Sequence, residues 1–231
     1  MRIASIIDIS LVDVPGIPVT VIFTGGCNFD CPYCQNASLI PFSSGEEISP
    51  SDIVSKVTGF LTDGFCITGG EPTVHKDLPE LLKILKTEVG GHINLNTQGS
   101  MPSALKDCLP FLDSVWFDLK TAPANYQKIC RTKTDFWPKI YESMKLLISS
   151  DVAFWPRTTY VKNLINLQDI EEILRVLDSC GFEGDYVIQN YVQTSGVRET
   201  EAKHLERPSL DEIKDVYQNA PAGIRVKFDW R

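Results

Sequence analysis

Short apolar runs rich in β-branched and aromatic residues recur along the chain at 19–24, 64–68, 92–97, 114–119, 152–161 and 185–191. Runs of this length and composition predict strands. Between them the apolar positions change to helical spacing. Ile53, Val54, Val57, Phe60 and Leu61 follow Ser49-Pro50-Ser51-Asp52, an N-cap with proline at the first helical position. Leu78, Leu81, Leu82 and Leu85 form a second stripe, and Leu167, Ile170, Ile173, Leu174 and Leu177 a later one that ends at Gly181. Ser209-Leu210-Asp211-Glu212 reads as a capping box opening a final helix.

Six strands alternating with helices imply parallel β-α units joined by right-handed crossovers. Six are too few for a complete eight-stranded barrel, so the pattern predicts an open, partial (β/α)6 barrel forming one domain over residues 1–231. A doubly wound sheet has the same element pattern and stands as the alternative. In either fold, active sites gather at the C-terminal ends of the strands.

Composition narrows the class. The chain is 43% hydrophobic and 23% charged, ordinary values for a globular protein. No apolar run approaches the roughly 20 residues that span a bilayer, and Met1-Arg2-Ile3-Ala4-Ser5 lacks signal-peptide features, so no membrane association and a cytoplasmic location are expected. A net charge of −8 argues against a nucleic-acid partner. Lys128, Arg131, Lys133 and Lys139 form a loose basic cluster, read as a solvated surface segment. Three of the seven cysteines fall within eight residues, which in a chain of this size points to metal or redox chemistry. Cys66, Cys108, Cys130 and Cys180 are scattered and read as small buried hydrophobes.

The concentrated chemistry lies in Cys27-Asn28-Phe29-Asp30-Cys31-Pro32-Tyr33-Cys34, directly after the first predicted strand. One loop with this spacing can wrap three thiolates around one cluster, and Gly25-Gly26 permits the tight backbone path. Three ligands leave one position for a substrate, whereas purely structural sites usually fill their shell. A structural zinc site completed by a histidine or a distant cysteine is the competing reading, although His75, His92 and His204 lack ligand spacing. Thr68-Gly69-Gly70-Glu71-Pro72 ends the second predicted strand, and a close-approaching backbone beside a carboxylate suits an amino-acid ammonium group.

The two motifs on successive strands resemble the radical S-adenosylmethionine (SAM) superfamily. The resemblance implies a 4Fe-4S cluster held by Cys27, Cys31 and Cys34, whose open iron chelates SAM and whose electron cleaves it to methionine and a 5′-deoxyadenosyl radical. Ser10-Leu11-Val12-Asp13-Val14-Pro15-Gly16 is similar to the leader of glycyl-radical-enzyme activating proteins, most of all the anaerobic ribonucleotide-reductase type and next the pyruvate formate-lyase type. That resemblance implies a glycyl-radical enzyme as partner, a flavodoxin or ferredoxin type electron donor, and a place for Asp13 near the target peptide. A radical SAM enzyme acting on a small metabolite, peptide or tRNA nucleoside is the alternative. The same resemblance places Gly69, Gly70, Glu71, Asn96, Thr97, Asp118, Lys120 and Arg157 in the SAM pocket, with Tyr33 against the adenine. Three positions depart from the pyruvate formate-lyase type: Gln35 replaces a histidine, Asn96 an aspartate, and Val192 a histidine. The second puts that subgroup's monovalent cation in doubt, and the third leaves Val192 an apolar or backbone contact.

Overall fold

The computed structural model describes residues 1–230. Nine strands form one sheet in the order β3-β1-β2-β4-β5-β6-β7-β8-β9. They are β1 (Arg2–Ser10), β2 (Val19–Thr24), β3 (Glu46–Glu47), β4 (Gly64–Gly69), β5 (His92–Thr97), β6 (Ser114–Asp118), β7 (Ala153–Tyr160), β8 (Gly184–Asn190) and β9 (Ile224–Asp229). The helices are α1 (Pro50–Val57), α2 (Leu78–Ile84), α3 (Pro102–Cys108), α4 (Tyr126–Ile129), α5 (Trp137–Ile148), α6 (Leu167–Ser179) and α7 (Glu199–Ala202).

From β2 through β9 each strand pairs in parallel with the next of the series, leaving β1 and β3 as antiparallel additions at one edge. The strand order never reverses, so there is no switch point of the doubly wound kind. The sheet is open, and both its faces are specified by alternation along the strands. Ile22, Ile67, Leu95, Phe117 and Ile188 belong to the main core with Leu81, Met144 and Ile173 from the helices. On the other face Val19, Val21 and Cys66 meet Val14 of the leader, with Ile17, Phe23 and Trp155 packed alongside. The leader thus packs on the face of the sheet opposite the main core.

The structure corrects the sequence expectation in four places. The parallel series has seven strands, because β9 (Ile224, Val226 and Phe228 alternating with Arg225, Lys227 and Asp229) completes it. β1 is a strand as well, its irregular burial reflecting an edge position. Helix α1 stops at Val57, where Thr58 turns extended and Gly59 takes φ +99°, so Leu61 is 94% exposed. Ser209 caps no helix: two 3-10 segments, Leu210–Glu212 and Lys214–Asn219, flank Ile213 at φ −133°. Only Ile213 and Val216 are buried there, three residues apart, which suits a 3-10 turn better than an α-helical stripe. In α6, by contrast, Asn166 and Asp169 form a complete capping box.

Candidate functional site

The loops after β2, β4 and β5 converge because glycines let their backbones touch. Gly70 N donates to Thr24 O at 2.8 Å, and Glu71 N to Gly26 O at 2.9 Å. A Cβ on Gly70 would lie 2.1 Å from Gly26 O, and Gly69 adopts φ +122°. Side chains at either position would separate the cysteine loop from the end of β4.

Glu71 is almost fully buried. One carboxylate oxygen accepts from Thr73 N at 3.1 Å, from the Thr73 hydroxyl and from Thr97 Oγ1 at 2.6 Å; the other accepts from Gln98 N at 2.9 Å. Burial pushes its carboxyl upward against these four donors. The side chain therefore ties the end of β4 to the end of β5. Gln98 Nε2 in turn donates to Asn28 Oδ1 at 2.9 Å, and Asn28 Nδ2 to Ser100 Oγ at 2.8 Å, which fixes the residue beside Cys27. Sequence reasoning missed Gln98, Asn28 and Ser100; polar residues directly beyond a buried strand were the available signal.

Cys27, Cys31 and Cys34 line one cavity of about 170 Å³ with Tyr33, Gln35, Gly69, Gly70, Glu71, Asn96, Thr97, Asp118, Lys120 and Arg157. Every residue placed in the SAM pocket by resemblance thus borders the same space. Phe29, Asn36, Ile40, Thr68, Gln98, Thr159 and Gln189 complete the lining. Burial, reinforced by Glu71, pushes the Cys27 thiol up to about 12, and burial also raises Cys34. Cys31 is raised by a hydrogen-bonding contact with the Cys130 thiol and by burial. Cys130, Cys66 and Cys108 are buried as expected, whereas Cys180 is half-buried at the end of α6.

Across the cavity, Asp118 Oδ1 accepts from Arg157 Nε at 2.5 Å and Oδ2 from Lys120 Nζ at 3.1 Å. Burial alone would raise this carboxyl, but Arg157 and Lys120 together hold it down at about 2. The result is one fixed anion between two cations, with a net positive charge facing the cavity. Asn96 Nδ2 donates to Thr68 Oγ1 at 3.3 Å, and the Tyr33 hydroxyl to Lys120 O at 3.3 Å. Gln35 Nε2 donates to Val192 O at 2.9 Å, so Val192 contributes its backbone.

His75, His92 and Asp13 do not line this cavity. His75 shares a hydrogen bond with Gly25 O at 2.8 Å and His92 with Ser114 Oγ at 2.7 Å, which engages one ring nitrogen of each away from the thiols. Asp13 does not border the cavity. Its carboxylate accepts from Ser10 Oγ at 2.5 Å, and its carbonyl accepts from Trp116 Nε1 at 3.0 Å. Trp116 packs against Trp155, with ring centroids 5.0 Å apart, and under the Arg157 guanidinium at 5.1 Å. Trp116 and then Arg157 link Asp13 to the cavity.

The sequence profile of the Radical SAM superfamily matches residues 21–180, which spans both glycine-rich loops and the strands carrying Asp118 and Arg157. The chain belongs to the radical SAM superfamily. Two relatives from Methanocaldococcus jannaschii are provisionally named glycyl-radical enzyme activating enzymes. One is 26% identical over 93% of this chain and 89% of its own length; the other is 30% identical over 91% and 81%. A 7-carboxy-7-deazaguanine synthase of Aquifex aeolicus is 33% identical over 37% of this chain and 38% of its own. Among solved structures, Streptococcus suis SuiB bound to S-adenosylmethionine superposes with a TM-score of 0.64 at 13% identity, covering 88% of this chain and 48% of that one. At that identity the likeness concerns the radical SAM fold alone. Among the described residues, no helix is long and apolar enough to cross a membrane.

Proposed function

We propose that this radical SAM enzyme installs a glycyl radical on a partner protein. The observation that carries the cofactor part is the single cavity in which three thiols of one loop face the Asp118–Lys120–Arg157 cluster. The donor set fits the group: the three soft thiols of one short loop border one cavity, which the neighbouring Cys130 does not line. Cys27, Cys31 and Cys34 would hold the cluster. When bound, the cluster and SAM would supply one-electron reductive cleavage of SAM and the hydrogen-abstracting radical chemistry that follows from it.

The chain's own residues bind and orient. Lys120 and Arg157, held by Asp118, offer positive charge to the methionine carboxylate. The Gly69-Gly70 backbone and the carboxylate of Glu71 flank its ammonium group. Tyr33, buried beside the cysteines, forms an apolar wall for the adenine, and Asn96 and Thr97 border the same pocket. Asn96 brings no anionic ligand for a monovalent cation.

The protein-partner reading rests on the leader. Beside Asp13, Leu11 and Val12 are 70% and 69% exposed, and Ile7 and Ile9 of β1 are about half exposed. Four exposed aliphatic side chains within six residues suit a macromolecular contact better than a small-metabolite site. Asp13 in this leader meets Trp116, on whose ring the cavity-lining Arg157 rests. Both Methanocaldococcus relatives bear names consistent with this reading. The test is to incubate anaerobically reconstituted, reduced protein with SAM and a candidate glycyl-radical enzyme. The expected result is 5′-deoxyadenosine and a glycyl doublet by electron paramagnetic resonance. A small molecule that gains or loses hydrogen with turnover, while no partner acquires a radical, would replace this reading with the metabolite one.

A further inference from the structure

Trp116 lies on β6 two residues before Asp118, so the two side chains share one face of the sheet. The β6–β7 ladder pairs Trp116 with Trp155 and Asp118 with Arg157, which places an indole pair in the row next to the ion pair. The two indoles meet with centroids 5.0 Å apart, and Trp155 packs alongside the apolar group that Val14 of the leader forms with Val19, Val21 and Cys66. A half-buried tryptophan pair of this kind is ordinarily packing.

Trp116 does more than fill space, because different regions of the chain engage its two chemically distinct parts. Its single donor, Nε1–H, reaches Asp13 O at 3.0 Å across 103 residues of sequence, which joins the leader to the strand that carries Asp118. Val12 before Asp13 is exposed and Val14 after it is fully buried, so the bond sits at the boundary between the free and the packed parts of the leader. The ring face of Trp116 carries the Arg157 guanidinium 5.1 Å from its centroid. Asp118 Oδ1 accepts from Arg157 Nε at 2.5 Å. A planar guanidinium held at Nε can still turn about that bond, and an aromatic face beneath it restricts the turn. Burial works against the charge on Arg157, while Asp118 and, more weakly, Asp13 favour it, so Asp13 is within electrostatic reach of the guanidinium.

We propose that Trp116 is a positioning residue shared by the two ends of the reaction: its ring sets the Arg157 guanidinium for SAM, and its Nε1–H fixes the leader segment that meets the partner protein. This rests on the function proposed above. Tryptophan is the side chain that serves both ends here. Phenylalanine keeps a face for the cation but has no donor, and leucine has neither, so substitution separates the two roles. A leader that loses its anchor while Arg157 stays set leaves SAM binding intact and misplaces the partner. SAM is then consumed without a matching yield of protein radical.

The test compares anaerobically reconstituted wild type with Trp116→Phe and Trp116→Leu, or with Trp116→Met should the leucine variant lose iron. Iron content and Tm are recorded for each, SAM affinity is measured by equilibrium dialysis, and amide hydrogen exchange is followed over residues 11–17. Every variant should raise exchange across 11–17 by about 3-fold or more, through loss of the anchoring hydrogen bond. Trp116→Phe should bind SAM within about 2-fold of wild type, whereas Trp116→Leu should bind it about 5-fold or more less tightly. With a candidate glycyl-radical enzyme, Trp116→Phe should give about 3-fold or more fewer glycyl radicals per 5′-deoxyadenosine. Wild-type exchange in Trp116→Phe would overturn the leader half of the inference, and wild-type SAM affinity in Trp116→Leu the Arg157 half. Equal loss of SAM affinity in both variants, with a lowered Tm, would reduce Trp116 to packing and overturn the whole. Wild-type protein that cleaves SAM yet gives no partner a radical would remove the proposed function and the partner role of the leader with it, while the SAM affinities would still decide the Arg157 half.

Discussion

At the scale of single residues, chemistry in this site depends on groups whose neighbours are already committed. Glu71 spends both oxygens on Thr73, Thr97 and Gln98. Replacing it with Gln puts an amide donor where a donor already stands. Glu71→Gln should lower stability by about 1–3 kcal/mol, read as a drop in Tm, and weaken SAM binding at the same time. The cysteines separate by role in the same way. Cys27→Ala, Cys31→Ala and Cys34→Ala should each abolish the iron chromophore after anaerobic reconstitution. Cys180→Ala and Cys130→Ala should keep about four irons, as expected for three-thiolate ligation. Iron lost in Cys130→Ala, or zinc retained in place of iron, would revive the four-cysteine zinc reading, since Cys130 touches Cys31.

At the scale of elements, strand ends carry the site. Asp118 and Lys120 stand two apart at the end of β6, and Arg157 is the direct neighbour of Asp118 across the β6–β7 ladder. Their alignment follows from register, because residues two apart on a strand share a face. Asp118 in the fold titrates at about 2, below its ordinary 3.8. Its contribution to stability is fully present above about pH 4 and is lost as pH falls through about 2. It amounts to about 2 kcal/mol at most, because the group is 22% exposed. Acid unfolding of Asp118→Asn should therefore show a shallower dependence on pH between 4 and 2 than wild type. Lys120→Ala should weaken SAM binding by about 2–5 kcal/mol, measurable by equilibrium dialysis, without loss of iron.

At the scale of the whole molecule, the antiparallel β1 and the leader after it carry the exposed aliphatic side chains Ile7, Ile9, Leu11 and Val12. Leu11→Asp combined with Val12→Asp should cut glycyl-radical yield on a partner by about 10-fold or more through lost docking. SAM cleavage in the absence of partner and iron content should stay at wild-type levels. Asp13→Ala should lower radical yield in the same manner, with the Trp116 hydrogen bond preserved because it uses the backbone of Asp13. Equal loss of uncoupled cleavage would show that the leader supports the cavity instead of meeting a partner.

The sequence by itself determined the parallel β-α series, because buried strands and amphipathic helices must alternate in polarity to cover a sheet. It also determined the cysteine loop and the glycine-carboxylate motif after β4, because short spacing brings ligands together without help from distant chain. Tertiary structure decided the rest. β1 and β9 escaped because strands at an edge need less continuous apolar sequence. Gln98 gained its role only by standing opposite Asn28, which is 70 residues away. Cys130 came against Cys31 only when the 126–139 stretch folded onto the cysteine loop. Long-range pairing of this kind leaves no period in the sequence: it follows from which strand ends the closed core brings side by side.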